Sequence, residues 1–362
     1  MHLRSKLALC SISGFLWLGS AVSKAQTKPT AVPAPLPLTI DRDPAPSPDP
    51  DTPLPTQVTG PGTSAGAVAK GADGRYTLTS DAYEVRLNVT VVDNNARSVQ
   101  TLGQNAFHIY EDGVPQAISS FRHEDLPVSI GLVIDSSGSM YDKRSAVDKA
   151  SVDLIRLSNP KDEEFLVDFS SEAFIDQTFT TSLDKLKQGL GYIKSSGGTA
   201  LYDAVVASAD ELSKNASNGK QVLVVITDGE DNASSTTLEQ AIRRVQDLDG
   251  PTIYCVGLLF GEDTDRRESK HARRVLEEIA QQTGGVAYFP KSLKDVDGIA
   301  GEVAADIRTQ YSIAYRSTNP PTNGGYRQVH IEVKEKGFNK LEARTRSGYY
   351  PKSTPGQPAP QK

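Results

Sequence analysis

Residues 128–139 read VSIGLVIDSSGS, and this stretch decides the fold. Its first part, Val128 to Ile134, is an almost continuous apolar run, which is typical of a strand buried on both faces of a parallel sheet. Polar side chains follow at once, with Asp135, Ser137 and Ser139 at alternate positions. Because open α/β sheets bind their ligands at the carboxyl ends of strands, we expect this loop at a functional edge.

Further apolar runs of the same kind occur along the chain, at residues 165–169, 222–226 and 253–260, with a shorter one at 286–289. Stretches with helical periodicity lie between them or follow them, at residues 143–157, 183–193, 200–212, 238–248, 266–282 and 295–308. Alternation of buried strands and helices predicts an α/β fold. We expect a doubly wound, mostly parallel sheet flanked by helices.

A different pattern stands on either side of this α/β region. Val85, Leu87 and Val89 alternate with polar residues before it, and Tyr311 and Ile313 alternate after it. A period of two indicates strands with one buried face. Each segment alone has few strands and would be marginally stable. We therefore predict that both segments pair into one smaller β-sandwich, with two independent β appendages as the alternative.

The predicted organisation has six parts. They are a signal peptide at residues 1–25, a Pro-rich disordered linker at 26–75, a β-rich segment at 76–125, the α/β domain at 126–309, a second β-rich segment at 310–350 and a disordered tail at 351–362. Prolines in the linker favour extended chain, which suits a spacer.

The first residues have the pattern of an export signal. Arg4 and Lys6 precede an apolar run, and Ser23 and Ala25 are small residues suited to cleavage after Ala25. An uncleaved anchor is the alternative, although the run is shorter than the roughly 20 apolar residues of a membrane span. We expect an exported protein, periplasmic, in the cell envelope or secreted, with no transmembrane segment after cleavage.

Composition excludes some classes of protein. A net charge of −6 argues against a nucleic-acid partner, which would favour a basic face. After removal of Cys10 with the signal, Cys255 would be the one cysteine left, so no internal disulfide can form. Cys255 stands in a strand-like run and is expected to be a buried, inert thiol.

Two later pieces of sequence complement the serine loop. Ser196-Gly-Gly-Thr199 is a Gly-rich loop that opens a helix, and Asp228 follows the apolar run 222–226. Taken singly, each piece has an ordinary explanation, since Ser and Thr cap helices and Asp-Gly forms turns. Asp135 and Asp228, however, both follow a strand, so they can lie on one edge of the sheet.

In this order the three pieces resemble the metal-ion-dependent adhesion site of von Willebrand factor A domains, over about residues 126–308. The resemblance implies a divalent metal ion held by Asp135, Ser137, Ser139, Thr199 and Asp228, with the carboxylates acting partly through water. Oxygen ligands suit Mg²⁺ first, with Mn²⁺ or Ca²⁺ as alternatives. The β-rich flanks are similar to those of bacterial exported proteins that carry this domain.

Asp142 lies where the related domains of integrin β-subunits carry an acidic ligand for a neighbouring cation. Lys143 follows it, in place of a second acidic residue. We therefore expect Asp142 to be a solvated residue near the start of a helix.

The sequence predicts a protein that is not an enzyme. The serine loop, Ser136-Ser137-Gly138, is not a G-x-S-x-G elbow, and the sequence contains no H-E-x-x-H pair and no G-x-x-x-x-G-K phosphate loop. We expect a metal-dependent adhesion module that binds an Asp or Glu side chain of a protein partner. The alternative is a structural or assembly scaffold of the cell envelope in which the metal only stabilises the fold. The sequence gives no indication of the oligomeric state.

Overall fold

The computed structural model describes residues 84–260 and 266–352, together with two short strands at 69–70 and 76–77. The strands are β1 (Ala69–Lys70), β2 (Tyr76–Thr77), β3 (Glu84–Asp93), β4 (Phe107–Glu111), β5 (Val114–Gln116), β6 (Ile118–Arg122), β7 (Val128–Asp135), β8 (Glu163–Phe169), β9 (Ala173–Thr180), β10 (Lys220–Thr227), β11 (Thr252–Gly257), β12 (Ala287–Tyr288), β13 (Tyr311–Arg316), β14 (Arg327–Val333), β15 (Leu341–Arg344) and β16 (Gly348–Tyr349). The α-helices are α1 (Arg144–Leu157), α2 (Leu183–Tyr192), α3 (Leu201–Asn215), α4 (Leu238–Asp247), α5 (Arg266–Thr283) and α6 (Leu293–Arg308).

Several predicted segments lie outside the described residues. These are the signal peptide at 1–25, the linker apart from β1, and the tail from residue 353 onward. β1 pairs with β2 in an antiparallel two-stranded sheet. Among the helices of the described ranges, none combines the length and the hydropathy that crossing a membrane would require.

A six-stranded sheet forms the centre of the α/β region, in the order β12-β11-β10-β7-β8-β9. All strand pairs in it are parallel except β8 with the edge strand β9. Every residue of β7 is buried, as the apolar run predicts. The predicted doubly wound, mostly parallel sheet is confirmed.

Helices cover both faces of this sheet. Helices α1, α2 and α6 pack on one face, where Val147, Leu186 and Val303 join its core. Helices α3, α4 and α5 pack on the other face, with Val205, Val245 and other apolar side chains around the strands. Burying both faces removes nearly all the apolar strand residues from water, which is the main source of stability.

Cys255 lies in β11 within the core of the second face. Its side chain is fully buried, and burial raises the pKa of the thiol to about 12. Because the thiolate is the reactive form of cysteine, a thiol held neutral in the core is inert. The structure therefore places Cys255 as the sequence predicts.

The flanking segments form a single β-sandwich. One of its sheets has the order β15-β3-β13-β6 and the other the order β16-β14-β4-β5. β3 and β4 come from the segment before the α/β region, and their partners β13 and β14 come from the segment after it. Leu87 of the first segment shares one apolar core between the two sheets with Ile313 and Ile331 of the second. The predicted sandwich is therefore confirmed.

The α/β region leaves and rejoins the sandwich at neighbouring strands. β6 precedes it, β13 follows it, and the two pair antiparallel with Arg122 opposite Ser312. A residue near the end of α6 fastens the two parts together: Asp306 accepts hydrogen bonds from Tyr254 of β11 at 2.7 Å and Arg344 of β15 at 2.9 Å. The α/β region is thus joined to the sandwich by paired strands and by a buried polar contact.

Candidate metal centre

Two neighbouring strands bring the acidic side chains of the candidate site to one edge of the sheet. β7 and β10 are parallel partners, with Ile134 opposite Ile226. Asp135 is the last residue of β7, and Asp228 follows directly after β10. Because parallel strands end at the same edge, the two loops that begin there face each other.

Side-chain oxygens from the serine loop and from Asp228 meet in a continuous chain. The Oγ atoms of Ser137 and Ser139 lie 3.1 Å apart, and Ser139 Oγ donates to Asp228 Oδ1 at 2.8 Å. The backbone N–H of Ser137 donates to Asp135 Oδ1, also at 2.8 Å. The structure therefore brings four of the predicted site residues together, although they come from two strands.

Asp135 is fully buried at the base of the site. Its second carboxylate oxygen accepts a hydrogen bond from Thr227 Oγ1 at 2.6 Å, which fixes the carboxylate plane. Burial raises the pKa of Asp135; hydrogen bonds from Ser137 and Thr227 oppose this, and the nearby Asp228 adds to it. Two buried carboxylates this close together create a place where a positive charge is electrostatically favoured.

The Gly-rich loop is held against the serine loop by its backbone. Ser196 N–H donates to the Ser136 carbonyl at 2.7 Å, and Gly138 N–H donates to the Gly197 carbonyl at 3.4 Å. Gly197 has a φ of +84°, a conformation that glycine adopts without strain. Gly198 is tightly enclosed, since a Cβ there would lie 2.7 Å from a side-chain oxygen of the Asp228 loop. These glycines allow the loop to approach the site closely.

Thr199 is buried and stands beside the Asp228 loop. Its backbone N–H donates to Asn232 Oδ1 at 2.9 Å. Its hydroxyl lies 3.8 Å from the position that a Cβ on Gly229 would occupy. Within the described residues, no hydrogen bond involves Thr199 Oγ1, which leaves this oxygen available to a ligand. Thr199 thus lies beside the loop that carries Asp228, and the described residues show no hydrogen bond from its side chain to the other four predicted site residues.

Ordinary capping roles do not account for these hydroxyls. Ser137 precedes a 3₁₀ turn, Gly138–Lys143, yet in this described stretch its side chain forms no capping hydrogen bond. Ala200, not Thr199, occupies the N-cap position of α3, again without a side-chain cap. Asp142 is exposed in the 3₁₀ turn, as expected for a solvated residue.

A lysine that was not predicted as a site residue contacts the site directly. Lys143 Nζ lies 2.5 Å from Asp228 Oδ2, and the two side chains are 19% and 1% exposed. The same ammonium is 6.0 Å from the centroid of the Phe260 ring. Lys143 therefore holds the Asp228 oxygen that Ser139 does not use.

Two supporting residues were also not predicted from the sequence. Thr227 orients Asp135, and Asn232 orients Thr199. The sequence offered one signal for Thr227, its position at the end of an apolar run. The last residue of β10 lies beside the end of β7, where Asp135 stands. Asn232 carried no such signal.

The family of the α/β region follows from a comparison with protein-family models. Residues 129–302 match the von Willebrand factor type A domain. The chain therefore contains a domain of this family, in agreement with its fold and with the order of the three loops. No curated protein matches the sequence.

Solved structures with similar chains come from several sources. An aerotolerance-related membrane protein from Bacteroides fragilis has 19% identity and a TM-score of 0.41, with 50% of this chain and 98% of that chain covered. A von Willebrand factor type A protein from Catenulispora acidiphila has 15% identity and a TM-score of 0.44, with 76% and 74% covered. Proximal thread matrix protein 1 from the mussel byssus, with a zinc-occupied MIDAS motif, has 16% identity and a TM-score of 0.43. The match covers 56% of this chain and 50% of the mussel protein, so this chain spans about half the length of that protein.

Proposed function

We propose that the von Willebrand factor type A domain of this chain is a metal-dependent protein-interaction module. The ion would be held by Asp135, Ser137, Ser139, Thr199 and Asp228. The observation that carries the proposal is the meeting of the Ser137, Ser139 and Asp228 oxygens at distances of 3.1 and 2.8 Å. Domains of this family are in general interaction modules rather than enzymes, and we propose the same for this chain.

The donor set fits a hard divalent cation. It consists of hydroxyl and carboxylate oxygens, which are the ligands of Mg²⁺, Mn²⁺ and Ca²⁺ rather than the nitrogen and sulfur ligands that zinc prefers. Neighbouring oxygens around octahedral Mg²⁺ stand about 3 Å apart, because each is roughly 2.1 Å from the ion. The Ser137 and Ser139 hydroxyls, 3.1 Å apart, are close enough to be neighbouring ligands of such an ion, and we propose Mg²⁺ first.

The charges of the site support an acidic partner. Asp135 and Asp228 offset the two charges of the ion, whereas the hydroxyls of Ser137, Ser139 and Thr199 add none. A bound ion with mostly neutral ligands remains a strong acceptor of a further negative group. We propose that an Asp or Glu side chain of a partner protein supplies that group, in a charge-assisted contact.

The surface around the site supports a protein as the partner. Tyr141 lies in the turn between the serine loop and α1, and 75% of its surface is exposed. Exposed aromatic side chains of this kind often anchor protein interfaces. An acidic side chain flanked by an apolar group would match both the ion and Tyr141.

Export belongs to the same proposal. Residues 1–25 have the sequence of a signal peptide, and residues 26–75 have the composition of a spacer. We propose a protein of the periplasm, the cell envelope or the exterior, with the binding domain at about residues 126–309 and the β-rich segments at about 76–125 and 310–350 as its support.

A retention experiment tests the proposal. The full chain would be immobilised and exposed to envelope extract with Mg²⁺ and then with a chelator. The wild type and Thr178→Ala should retain the same partner only with the ion, while Thr199→Ala should lose it without a change in melting temperature. Thr178 is an exposed threonine of β9, so it controls for the substitution itself. The proposal would be contradicted if the partner were retained equally with and without the ion, and equally by the wild type and Thr199→Ala.

A further inference from the structure

Lys143 is placed as part of the candidate metal centre. It ends the 3₁₀ turn that follows the serine loop, and its side chain reaches the Asp228 carboxylate. Only 19% of the lysine side chain remains exposed, and the Asp228 side chain is almost fully buried. A lysine head normally stays in water, so this degree of burial indicates a specific ion pair.

The two oxygens of the Asp228 carboxylate are divided between two partners. Ser139 Oγ donates to Oδ1 at 2.8 Å, and Lys143 Nζ lies at 2.5 Å from Oδ2. Arg144, the next residue along the chain, is engaged elsewhere, with Asp148 at 2.6 Å and the Leu190 carbonyl at 3.2 Å. Among the described side chains, Lys143 is therefore the cation that pairs with Asp228.

The charge balance of the site depends on this lysine. Without Lys143, the carboxylates of Asp135 and Asp228 would just neutralise a divalent ion. With Lys143 present, the same two carboxylates face one built-in positive charge before any ion arrives. A divalent ion then enters a site whose negative charge is already partly neutralised. With the ion bound, the positive charges of the ion and the ammonium exceed the two carboxylate charges by one.

We infer that Lys143 is an internal competitor for the metal, which lowers the affinity of the site for a divalent ion. This inference rests on the proposed function, because it concerns the same site. Lys143 and the ion share the Asp228 carboxylate, so each weakens the hold of the other. Since the lysine is covalently tethered, its ammonium is present at every concentration of the ion, and the ion has to share the carboxylate with it or displace it.

Calorimetry of metal binding tests the inference. Mg²⁺ and Mn²⁺ would be titrated into the full chain after chelator treatment, for the wild type, Lys143→Met, Lys143→Gln and Lys161→Met. Lys161 is exposed just before β8, at the opposite edge of the sheet, so it controls for the loss of a positive charge elsewhere. Thermal melting with and without the ion supplies a second measurement on the same proteins.

The expected result is tighter metal binding in both Lys143 variants, by roughly tenfold, which is the effect of one unit charge at close range in a water-like dielectric. Lys161→Met should match the wild type. The Lys143 variants should also melt at a lower temperature without the ion and gain more from its addition. Equal or weaker binding in the Lys143 variants would overturn the inference while leaving the proposed function intact. Absence of binding in every protein would overturn both.

Discussion

The hydroxyl of Ser139 donates a hydrogen bond to Asp228 Oδ1 at 2.8 Å, across 89 positions of sequence. The contact exists because β7 and β10 are adjacent parallel strands whose carboxyl ends coincide. Each strand contributes a polar loop that would be an ordinary turn on its own. The site is therefore a product of the sheet topology, and it should be as rigid as the two buried strands that support it.

Replacing Tyr141 with Ala should weaken partner binding and leave metal binding unchanged. The ring is 75% exposed beside the serine loop, so its loss disturbs no core contact. Aromatic anchors at interfaces often contribute about 2 kcal/mol or more, which corresponds to roughly a thirtyfold loss of affinity. Binding of the retained partner would be measured at saturating Mg²⁺. Tyr192→Ala, which removes a ring 44% exposed on α2, is the control, and equal effects of the two substitutions would argue against this surface.

Replacing Glu111 with Gln should strongly destabilise the β-sandwich. Glu111 and Arg327 form a buried ion pair with a separation of 3.4 Å, and both side chains are 1% exposed. Tyr315 and Tyr349 also donate to the Glu111 carboxylate, at 2.7 and 2.9 Å. Loss of the negative charge leaves the buried guanidinium uncompensated, at a cost of about 3–5 kcal/mol in the free energy of unfolding.

Urea denaturation followed by tyrosine fluorescence would measure this cost. Glu332→Gln is the matched control, because Glu332 pairs with Lys334 on the exposed surface of β14 and solvent screens that pair. Its midpoint should stay near that of the wild type. A Glu111 variant as stable as the control would show that the buried network contributes little.

Replacing Gly131 with Ala should destabilise the α/β domain by about 1–3 kcal/mol, the usual cost of overpacking. A Cβ at this position of β7 would lie 2.5 Å from Leu223 Cδ2 and 2.6 Å from Phe165 Cε1. Gly298→Ala on α6 is the control, since an added Cβ there meets no atom within 4 Å. That control should gain about 0.5–1 kcal/mol from helix propensity. Urea midpoints that move in the same direction for both would contradict the packing of β7.

Glu164 should make the stability of the protein depend on pH. Burial in β8, followed by repulsion from Asp162 and Glu163, raises the pKa of Glu164 from 4.5 to about 8. The folded protein therefore keeps this proton when the unfolded chain has lost it. Its contribution to stability is complete below the unfolded pKa of 4.5 and is lost as the pH rises toward about 8.

Replacing Glu164 with Gln removes this dependence. The variant should melt above the wild type at about pH 8.5, and the difference should shrink at about pH 5 because Glu164 is then neutral in the fold. Glu172→Gln, at an exposed position, is the control and should follow the wild type at both values. A difference between Glu164→Gln and the wild type that does not change with pH would refute the raised pKa.

Much of the fold could be predicted because its strands are simple in pattern. The run Val128 to Ile134 and its later counterparts are buried on both faces, so each appears in the sequence as continuous apolar residues. β9, Ala173–Thr180, was not predicted. It is an antiparallel edge strand whose residues are mostly half-buried, and such a strand shows neither an apolar run nor a clean alternation.

Site residues that directly follow strands could be predicted from the sequence. Contacts made by long side chains between separate loops could not. Asp135 and Asp228 could be placed together because both stand at carboxyl ends of parallel strands. Lys143 stood out in the sequence only as a basic residue where related domains have an acidic one. Its contact with Asp228 depends on the path of the 3₁₀ turn and on the direction of a long side chain, which no local pattern specifies.

Calorimetric titration of Mg²⁺ into the chelator-treated full chain, with Ser139→Ala beside it, tests the metal centre most directly. Ser119→Ala is the control, since Ser119 is exposed in β6 of the sandwich. The wild type and the control should each bind a single ion at the site, and Ser139→Ala should bind it at least about tenfold more weakly, because the substitution removes a proposed ligand and its hydrogen bond to Asp228. Absence of Mg²⁺ binding by the wild type, or equal affinity in Ser139→Ala, would contradict the account.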